Sequence, residues 1–439
     1  MEAKENKGLD IYKNMGFDKL KALAEQGDAE AQFKLALRYK KGECVEKDIE
    51  KAVEWLTKSA EQGNAFAQNN LAVCYEKGKG VEKDLAKALE LYTKSAEQRC
   101  CGAQYNLGLC YFYGECVEKD YTKAFEWFLK SAEQGDMCAQ NDVGMCYLDG
   151  IGVEKDQKKG VEWLTKSVEQ GYATAQFNLG RCYKEGEGVV LDYKKAVEWY
   201  LKAAEQGEPW AQNNLAICYE FGEGVRKNCK KAFEWYTKAA EQGADKAQYH
   251  LGLCYQNGKG IGKDLVKAAE WFTKAAEQGD KEAQKDLGKC YRKGEGVKND
   301  HTKAVEWFMK AAEQGDKIAQ FYLGVCYERG EGVEKDFEKA AEWYTRAAEQ
   351  GVVEAQFNLG QFYKYGIGVE KYPMKAIDWF FKAAEQGDKK AKECLNEFRN
   401  NGNDELEAEF DDLPENDCPF WKKWLYVFYR QLIENHLRL

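Results

Sequence analysis

The residues with the most reactive chemistry in this chain are its sixteen cysteines; only three histidines, His250, His301 and His436, accompany them. Thiols can bridge, bind zinc or act as nucleophiles, but their placement argues for none of these. Eight of them, Cys74, Cys110, Cys146, Cys182, Cys218, Cys254, Cys290 and Cys326, recur every 36 residues. If they stand on successive packed helices, whose axes lie about 8–10 Å apart, they are too far apart for a disulfide, which needs Cα atoms within about 7 Å. They are expected to be reduced, small buried hydrophobes. Cys100, Cys101 and Cys138 fall in two successive connections and have no histidine beside them to complete a zinc site. Gly-x-Gly pairs such as Gly78 and Gly80 could cradle a phosphate. A Walker loop, however, needs Gly-Lys-Ser/Thr opening a helix, and a dinucleotide site needs a preceding strand. Neither context is present, so no catalytic residue, metal site or cofactor is expected.

The elements that position these residues follow from one period. Ala-Gln occurs at Ala31, Ala67, Ala103, Ala139, Ala175, Ala211, Ala247, Ala283, Ala319 and Ala355, each step being 36 residues. A fixed period of this length signals a solenoid of stacked supersecondary units. In residues 64–99, Ala67, Leu71, Cys74, Tyr75 and Gly78 follow the 3–4 spacing of an amphipathic helix. Gly78 ends that helix, Asp84 caps the next, and Ala88, Leu91, Tyr92 and Ala96 form the buried face of the second helix. A tyrosine recurs at the Tyr75 phase in all ten repeats, from Tyr39 to Tyr363. A tryptophan replaces Leu91 in the other nine: Trp55, Trp127, Trp163, Trp199, Trp235, Trp271, Trp307, Trp343 and Trp379. These aromatics read as core between repeats. The expected organisation is a capping helix in residues 1–27, ten repeats over 28–387, a half-repeat helix at 388–400, an acidic linker at 401–417 and an aromatic amphipathic helix at 418–439.

The pattern AQxxLGxCYxxGxGVxxDxxKAxEWxxKAAEQG resembles the Sel1-like repeat family, a relative of the tetratricopeptide repeats. The resemblance implies an all-α, right-handed α/α superhelical solenoid that serves as a scaffold or adaptor for protein complexes. A cysteine-rich bacterial branch of the family staples each repeat with a cysteine pair eight residues apart. Only Cys138 and Cys146 have that spacing here, and their phase differs, so the disulfide-bonded character of that branch does not transfer.

A partner is expected on the concave face, which the first helices of such a solenoid line. The varying phases there are those of Phe33, Leu37 and Lys41. The Phe33 phase reads Phe33, Asn69, Tyr105, Asn141, Phe177, Asn213, Tyr249, Lys285, Phe321 and Phe357, an alternation that suggests duplication of a 72-residue double repeat. Beside it stand Leu37, Met145, Arg181 and Phe221. Tyr105, Leu109, Phe112 and Tyr113 form the most apolar patch, and Lys285, Lys289, Arg292 and Lys293 a basic one suited to an acidic motif. Two readings compete for the Phe33 phase: a peptide groove, or packing between neighbouring first helices.

Charge narrows the function classes. Lys+Arg number 65 and Asp+Glu 75, a net −10, which argues against nucleic acid. Each second helix carries an acid four residues before a base, from Glu54/Lys58 to Asp378/Lys382, expected to form solvent-exposed ion pairs. MEAKENKGLD contains no apolar run and no stretch reaches spanning length, so a cytoplasmic location is expected. Residues 403–417 hold eight acids and no base. Beyond them Trp421, Trp424, Leu425, Phe428 and Leu432 fall on one helical face, which could cap the solenoid, dock a partner or, as the one segment fit for it, touch a membrane. A non-catalytic scaffold binding a protein or peptide is the leading reading. Head-to-tail self-assembly and a small-molecule-binding or enzymatic repeat protein are the alternatives, and the oligomeric state is left open.

Overall fold

The structure, a computed structural model, describes residue 12 and residues 15–401, with side chains as far as residue 398. All 22 elements among the described residues are helices, and within residues 15–227 and within residues 228–401 consecutive helices pack against each other. They group into two compact bodies, one ending at Lys227 and the other starting at Asn228. In the first body α1 (Phe17–Glu25) precedes α2 (Ala29–Lys41), α3 (Ile49–Glu61), α4 (Ala65–Lys77), α5 (Leu85–Glu97), α6 (Cys101–Tyr113), α7 (Tyr121–Glu133), α8 (Met137–Asp149), α9 (Gln157–Glu169), α10 (Ala173–Glu185), α11 (Tyr193–Glu205) and α12 (Pro209–Phe221). The second holds α13 (Cys229–Glu241), α14 (Asp245–Asn257), α15 (Leu265–Glu277), α16 (Lys281–Lys293), α17 (His301–Glu313), α18 (Lys317–Arg329), α19 (Phe337–Glu349), α20 (Val353–Tyr365), α21 (Pro373–Glu385) and α22 (Lys389–Asn401). From α2 onward the even-numbered helices are the first helices of repeats 1–10 and the odd-numbered ones the second; α22 is a lone first helix and α1 a lone second helix. The acidic linker and the aromatic C-terminal segment lie outside the described residues.

Local chemistry sets the helix ends. The first glycine of each Gly-x-Gly pair sits at φ between 62 and 84°, the left-handed geometry that lets its N–H close the preceding helix. The second makes a close approach: a Cβ on Gly152 would stand 2.0 Å from the Tyr121 carbonyl oxygen of the preceding second helix. Asp48, Asp84, Asp120 and Asp156 cap second helices, each carboxylate accepting from the N–H three residues on. The cysteine ladder is buried and free of disulfides. Burial pushes its thiols up, to about 12 at Cys146 and Cys182 and about 11 at Cys290. Arg38, at the ladder phase in repeat 1, reaches back to the Met15 carbonyl at 2.5 Å.

Apolar periodicity misses the residue that organises the packing. The buried face of α4 includes Gln68 beside Ala67, Leu71, Ala72 and Cys74, while Tyr75 is half-buried. Gln68 Nε2 donates to the Ala60 carbonyl of α3, and its Oε1 accepts from Nε2 of Gln98, the C-cap of α5. The same pair of bonds is formed at Gln32, Gln104, Gln140, Gln248, Gln284, Gln320 and Gln356. One buried amide thus joins three successive helices. Removing this side chain leaves one buried carbonyl unpaired, at about 1–3 kcal/mol, and loses the packing of a buried methylene, at about 0.8 kcal/mol. Gln284→Ala is therefore expected to lower the stability by about 2–4 kcal/mol. Gln314→Ala, which keeps the Ala276 carbonyl paired and deprives only the buried Gln284 oxygen of its donor, should cost less, about 1–3 kcal/mol, both read by urea unfolding of the full chain.

The second helices correct the expected ion pairs. In the nine repeats with a tryptophan, the base three residues later lies over the indole, from 3.6 Å at Lys166/Trp163 to 4.5 Å at Arg346/Trp343. In repeat 2, where Leu91 takes the tryptophan's place, Lys94 instead pairs with Glu90 at 2.5 Å. An indole face attracts an ammonium by about 0.5–2 kcal/mol, more than an exposed i,i+4 pair contributes at about 0.3–0.5 kcal/mol. The cation goes to the ring whenever a ring is there.

Candidate functional site

Among the expected partner-binding residues, the Phe33 phase packs between helices. Phe33, Asn141 and Asn213 are buried, and the others of the row are half-buried. Its aromatics lie on the ring of their own second helix: Tyr105 on Phe128 at 5.6 Å, Phe177 on Tyr200 at 5.9 Å, Tyr249 on Phe272 at 5.8 Å, Phe321 on Tyr344 at 6.0 Å and Phe357 on Phe380 at 5.8 Å. The Tyr105 and Tyr249 hydroxyls donate to Asp142 and Asp286 of the following repeats. Asn69 and Asn141 accept from Asn106 and Asn178 at 2.9 Å. The aromatic/amide alternation is thus built into the junctions between first helices.

The basic patch is paired. Lys285 lies 4.0 Å from Asp316, Lys289 2.9 Å from Asp286, Arg292 2.9 Å from Glu331 and Lys293 3.7 Å from Glu295. Burial raises the Glu331 carboxyl, but the hydrogen bond and charge of Arg292 outweigh it and hold the group below its usual range. An acidic motif entering here would have to displace carboxylates already in place. Asp286 and Glu295 stand beside these cations in the sequence, but Asp316 and Glu331 come from the next repeat, which the pattern of one helix does not show.

The surface that stays open lies one and two turns along the first helices, at the Leu37 and Lys41 phases. Leu37, Met145 and Arg181 are half-buried, and Phe221 and Tyr113 are 63% and 60% exposed. Between repeats 3 and 4 this surface deepens into a pocket of about 230 Å³. Helix α6 supplies Leu109, Phe112 and Tyr113, α7 supplies Phe128, α8 supplies Asp142, Met145, Cys146 and Asp149, and the following loop adds Ile151. Phe112 is fixed edge-on between Tyr113 and Tyr121, with ring centres 5.2 Å from each. Arg181 of repeat 5 donates to Met145 Sδ at 3.6 Å.

The pocket opens where repeat 4 departs from the others. Leu148, at the Phe112 phase, is fully buried, because α9 carries Gly160 where its counterparts carry alanine; a Cβ there would lie 2.7 Å from Leu148 Cγ. The side chain that could have covered this side of α8 is drawn into the core. Leu109, Phe112 and Tyr113 were legible in the sequence as part of an apolar patch, and Met145 as a candidate partner residue of the same face. Asp142, Asp149 and Ile151 were not, since two are acids among polar neighbours and the third belongs to a loop. The one signal available was the recurrence of aspartate one residue after the row, at Asp142 and Asp286.

Burial pushes the Asp142 carboxyl above its ordinary range, against the hydrogen bonds from Asn141 and Tyr105 that lower it. The pocket can therefore seat an apolar side chain, with carboxyl oxygens on one wall to receive a donor. A raised carboxyl binds a proton in the folded chain that the unfolded chain has released, so its contribution to stability declines as pH rises through the raised value. Asp142→Asn, which places here the residue of repeats 2, 3 and 5 at this phase, is expected to gain stability relative to wild type as the pH rises from about 4, the ordinary carboxylate value, through the raised one. Thermal unfolding of both chains across that range checks it; an unchanged difference would mean that Asp142 is ionised as freely as a surface carboxylate.

Ten stretches of the chain match the Sel1 repeat family, at residues 29–64, 65–100, 102–136, 139–172, 173–208, 211–243, 245–280, 281–316, 317–352 and 353–388. Among solved structures, the chain is similar to c5321, a protective antigen present in uropathogenic Escherichia coli strains and displaying an SLR fold. The two are 35% identical over 97% of this chain and 95% of that one, with a TM-score of 0.64. A Sel1 repeat protein from Oxalobacter formigenes is 35% identical over 70% of this chain and 89% of its own, with a TM-score of 0.54. No curated protein sequence matches the chain.

Proposed function

Since the chain belongs to the Sel1 repeat family, whose members are generally non-catalytic and bind protein partners, we propose that it is an adaptor that grips a partner by one apolar side chain seated between repeats 3 and 4. The observation that carries this reading is the pocket itself: Leu109, Phe112, Met145 and Ile151 provide an apolar lining, while Tyr113 stands exposed at its mouth. An apolar anchor surrounded by a few polar contacts is how protein interfaces concentrate their binding energy. Asp142 and Asp149 would receive an N–H or a basic group flanking that anchor. A cytoplasmic site of action belongs to the same proposal, supported by the fifteen free thiols among the described residues.

Selection of a displayed peptide library on the full chain tests the reading. Enriched peptides should carry an apolar or aromatic residue next to a basic one. Tyr113→Ala and Met145→Ala should each weaken them about tenfold, the scale of a lost hot-spot contact, while Lys285→Ala leaves them unchanged. Peptides indifferent to both pocket substitutions would move the partner surface elsewhere.

A further inference from the structure

In one repeat the cysteine ladder has a second thiol beside it. The second glycine of the Gly-x-Gly pair is kept in eight repeats, from Gly80 to Gly368, and gives way to Cys44 in repeat 1 and Cys116 in repeat 3. Repeat 1 holds Arg38 at the ladder phase, so Cys44 has no ladder thiol in its own repeat. Repeat 3 has both, Cys110 on α6 and Cys116 six residues later. Cys44 keeps the left-handed geometry of the glycines at φ 62°, whereas Cys116 leaves it. The glycine course would bring a Cβ against the preceding second helix, as at Gly152. Off that course, Cys116 packs half-buried on the cluster that contains Cys110, and the Cys110 thiol donates a hydrogen bond to the Cys116 sulfur. Both cysteines line a hollow of about 230 Å³ together with Val73, Tyr92 and the exposed Tyr113. A small reagent thus has a way in to two touching thiols.

We propose that Cys110 and Cys116 form a reversible dithiol/disulfide site whose co-substrate is a small disulfide such as oxidised glutathione. Cys116, the more accessible thiol and the one that accepts the hydrogen bond, gives up its proton and attacks one sulfur of the small disulfide. A mixed disulfide forms, and the thiolate expelled takes up a proton. Cys110 then gives up its own proton and attacks Cys116 Sγ, expelling the second small thiolate, which is protonated in turn. Two protein thiols are oxidised, one small disulfide is reduced to two thiols, and no proton is gained or lost overall. Burial pushes the Cys116 thiol up, and the bond from Cys110 offsets this only in part; burial and the same bond push Cys110 up as well. Exchange is therefore slower than at an acidic thiol, which reserves it for sustained oxidising conditions. The new bond fastens the loop to the last turn of α6, where Leu109 and Tyr113 line both this hollow and the pocket between repeats 3 and 4. The thiol chemistry does not rest on the adaptor reading.

The test incubates the reduced full chain with oxidised glutathione, raised until the exposed Cys44 carries an adduct. Remaining thiols are blocked with N-ethylmaleimide, the chain is cut at Tyr111, Phe112 and Tyr113 with chymotrypsin, and the products are mapped by mass spectrometry. Cys110 and Cys116 should be linked to each other, and dithiothreitol should release both. Cys44, with no ladder thiol in its repeat, should stop at the adduct. Cys116→Gly, which restores the residue of eight other repeats, should leave Cys110 as unreactive as Cys146 and Cys182. Cys110→Ala should halt the reaction at a glutathione adduct on Cys116. Thermal unfolding of both variants is measured alongside, and the Cys116→Gly chain decides if Cys110→Ala does not fold. Cys110 remaining reduced in the wild-type chain while Cys44 is modified overturns the proposal. So does linkage of Cys116 to Cys100 or Cys101 as often as to Cys110, or equal oxidation of Cys110 in a folded Cys116→Gly chain.

Discussion

The buried glutamine amide at the Ala-Gln motif is the interaction on which the repeat depends. A first helix wedged between two second helices exposes a side-chain position to both, and an amide has a donor for one and an acceptor for the other. Gln68 satisfies the Ala60 carbonyl behind it and receives Gln98 from ahead. Because an unpaired buried polar group costs more than its hydrogen bond contributes, the geometry is held in register at every junction where these bonds form. The small residues around it follow from the same closeness: a Cβ on Gly108 would lie 2.5 Å from the Phe128 ring, and one on Gly288 2.6 Å from Phe308.

On that frame the aromatics divide into two sets with different duties. Second-helix Phe and Tyr residues such as Phe128, Tyr200 and Phe308 are fully buried within their repeats. The nine second-helix tryptophans stay half-buried at the junctions and hold a lysine or arginine over their outer faces. Departures from the consensus are informative because each leaves a local mark. Leu91 frees a lysine for an ion pair and opens a hollow. Gly160 draws Leu148 inward beside the pocket between repeats 3 and 4. Both openings lie in the first body.

Much of the fold and part of the candidate site could be read without coordinates. The chain's membership in the Sel1 repeat family, its all-helical class and the 36-residue spacing rest on residues that recur. The patch at Leu109, Phe112 and Tyr113 was visible as an apolar run on one helix. The competing assignments for the Phe33 phase were not separable in the same way, because Tyr105 meets its acceptor Asp142 at a distance of 37 residues. For the same reason the basic patch read as open while Arg292 is bound to Glu331, 39 residues away.

What the sequence determined by itself is what acts within one or two helical turns: helix starts at Asp48 or Asp84, helix stops at glycines such as Gly42 with positive φ, and the periodic face that must be buried. Those choices depend on backbone geometry and on neighbours three or four positions away. Only the tertiary structure decided which polar residues are interior, which cations are free and where the surface opens. These outcomes depend on side chains 30 to 39 residues apart competing for one partner or one volume. The glutamine reads as a polar surface residue until the helix on each side of it is in place.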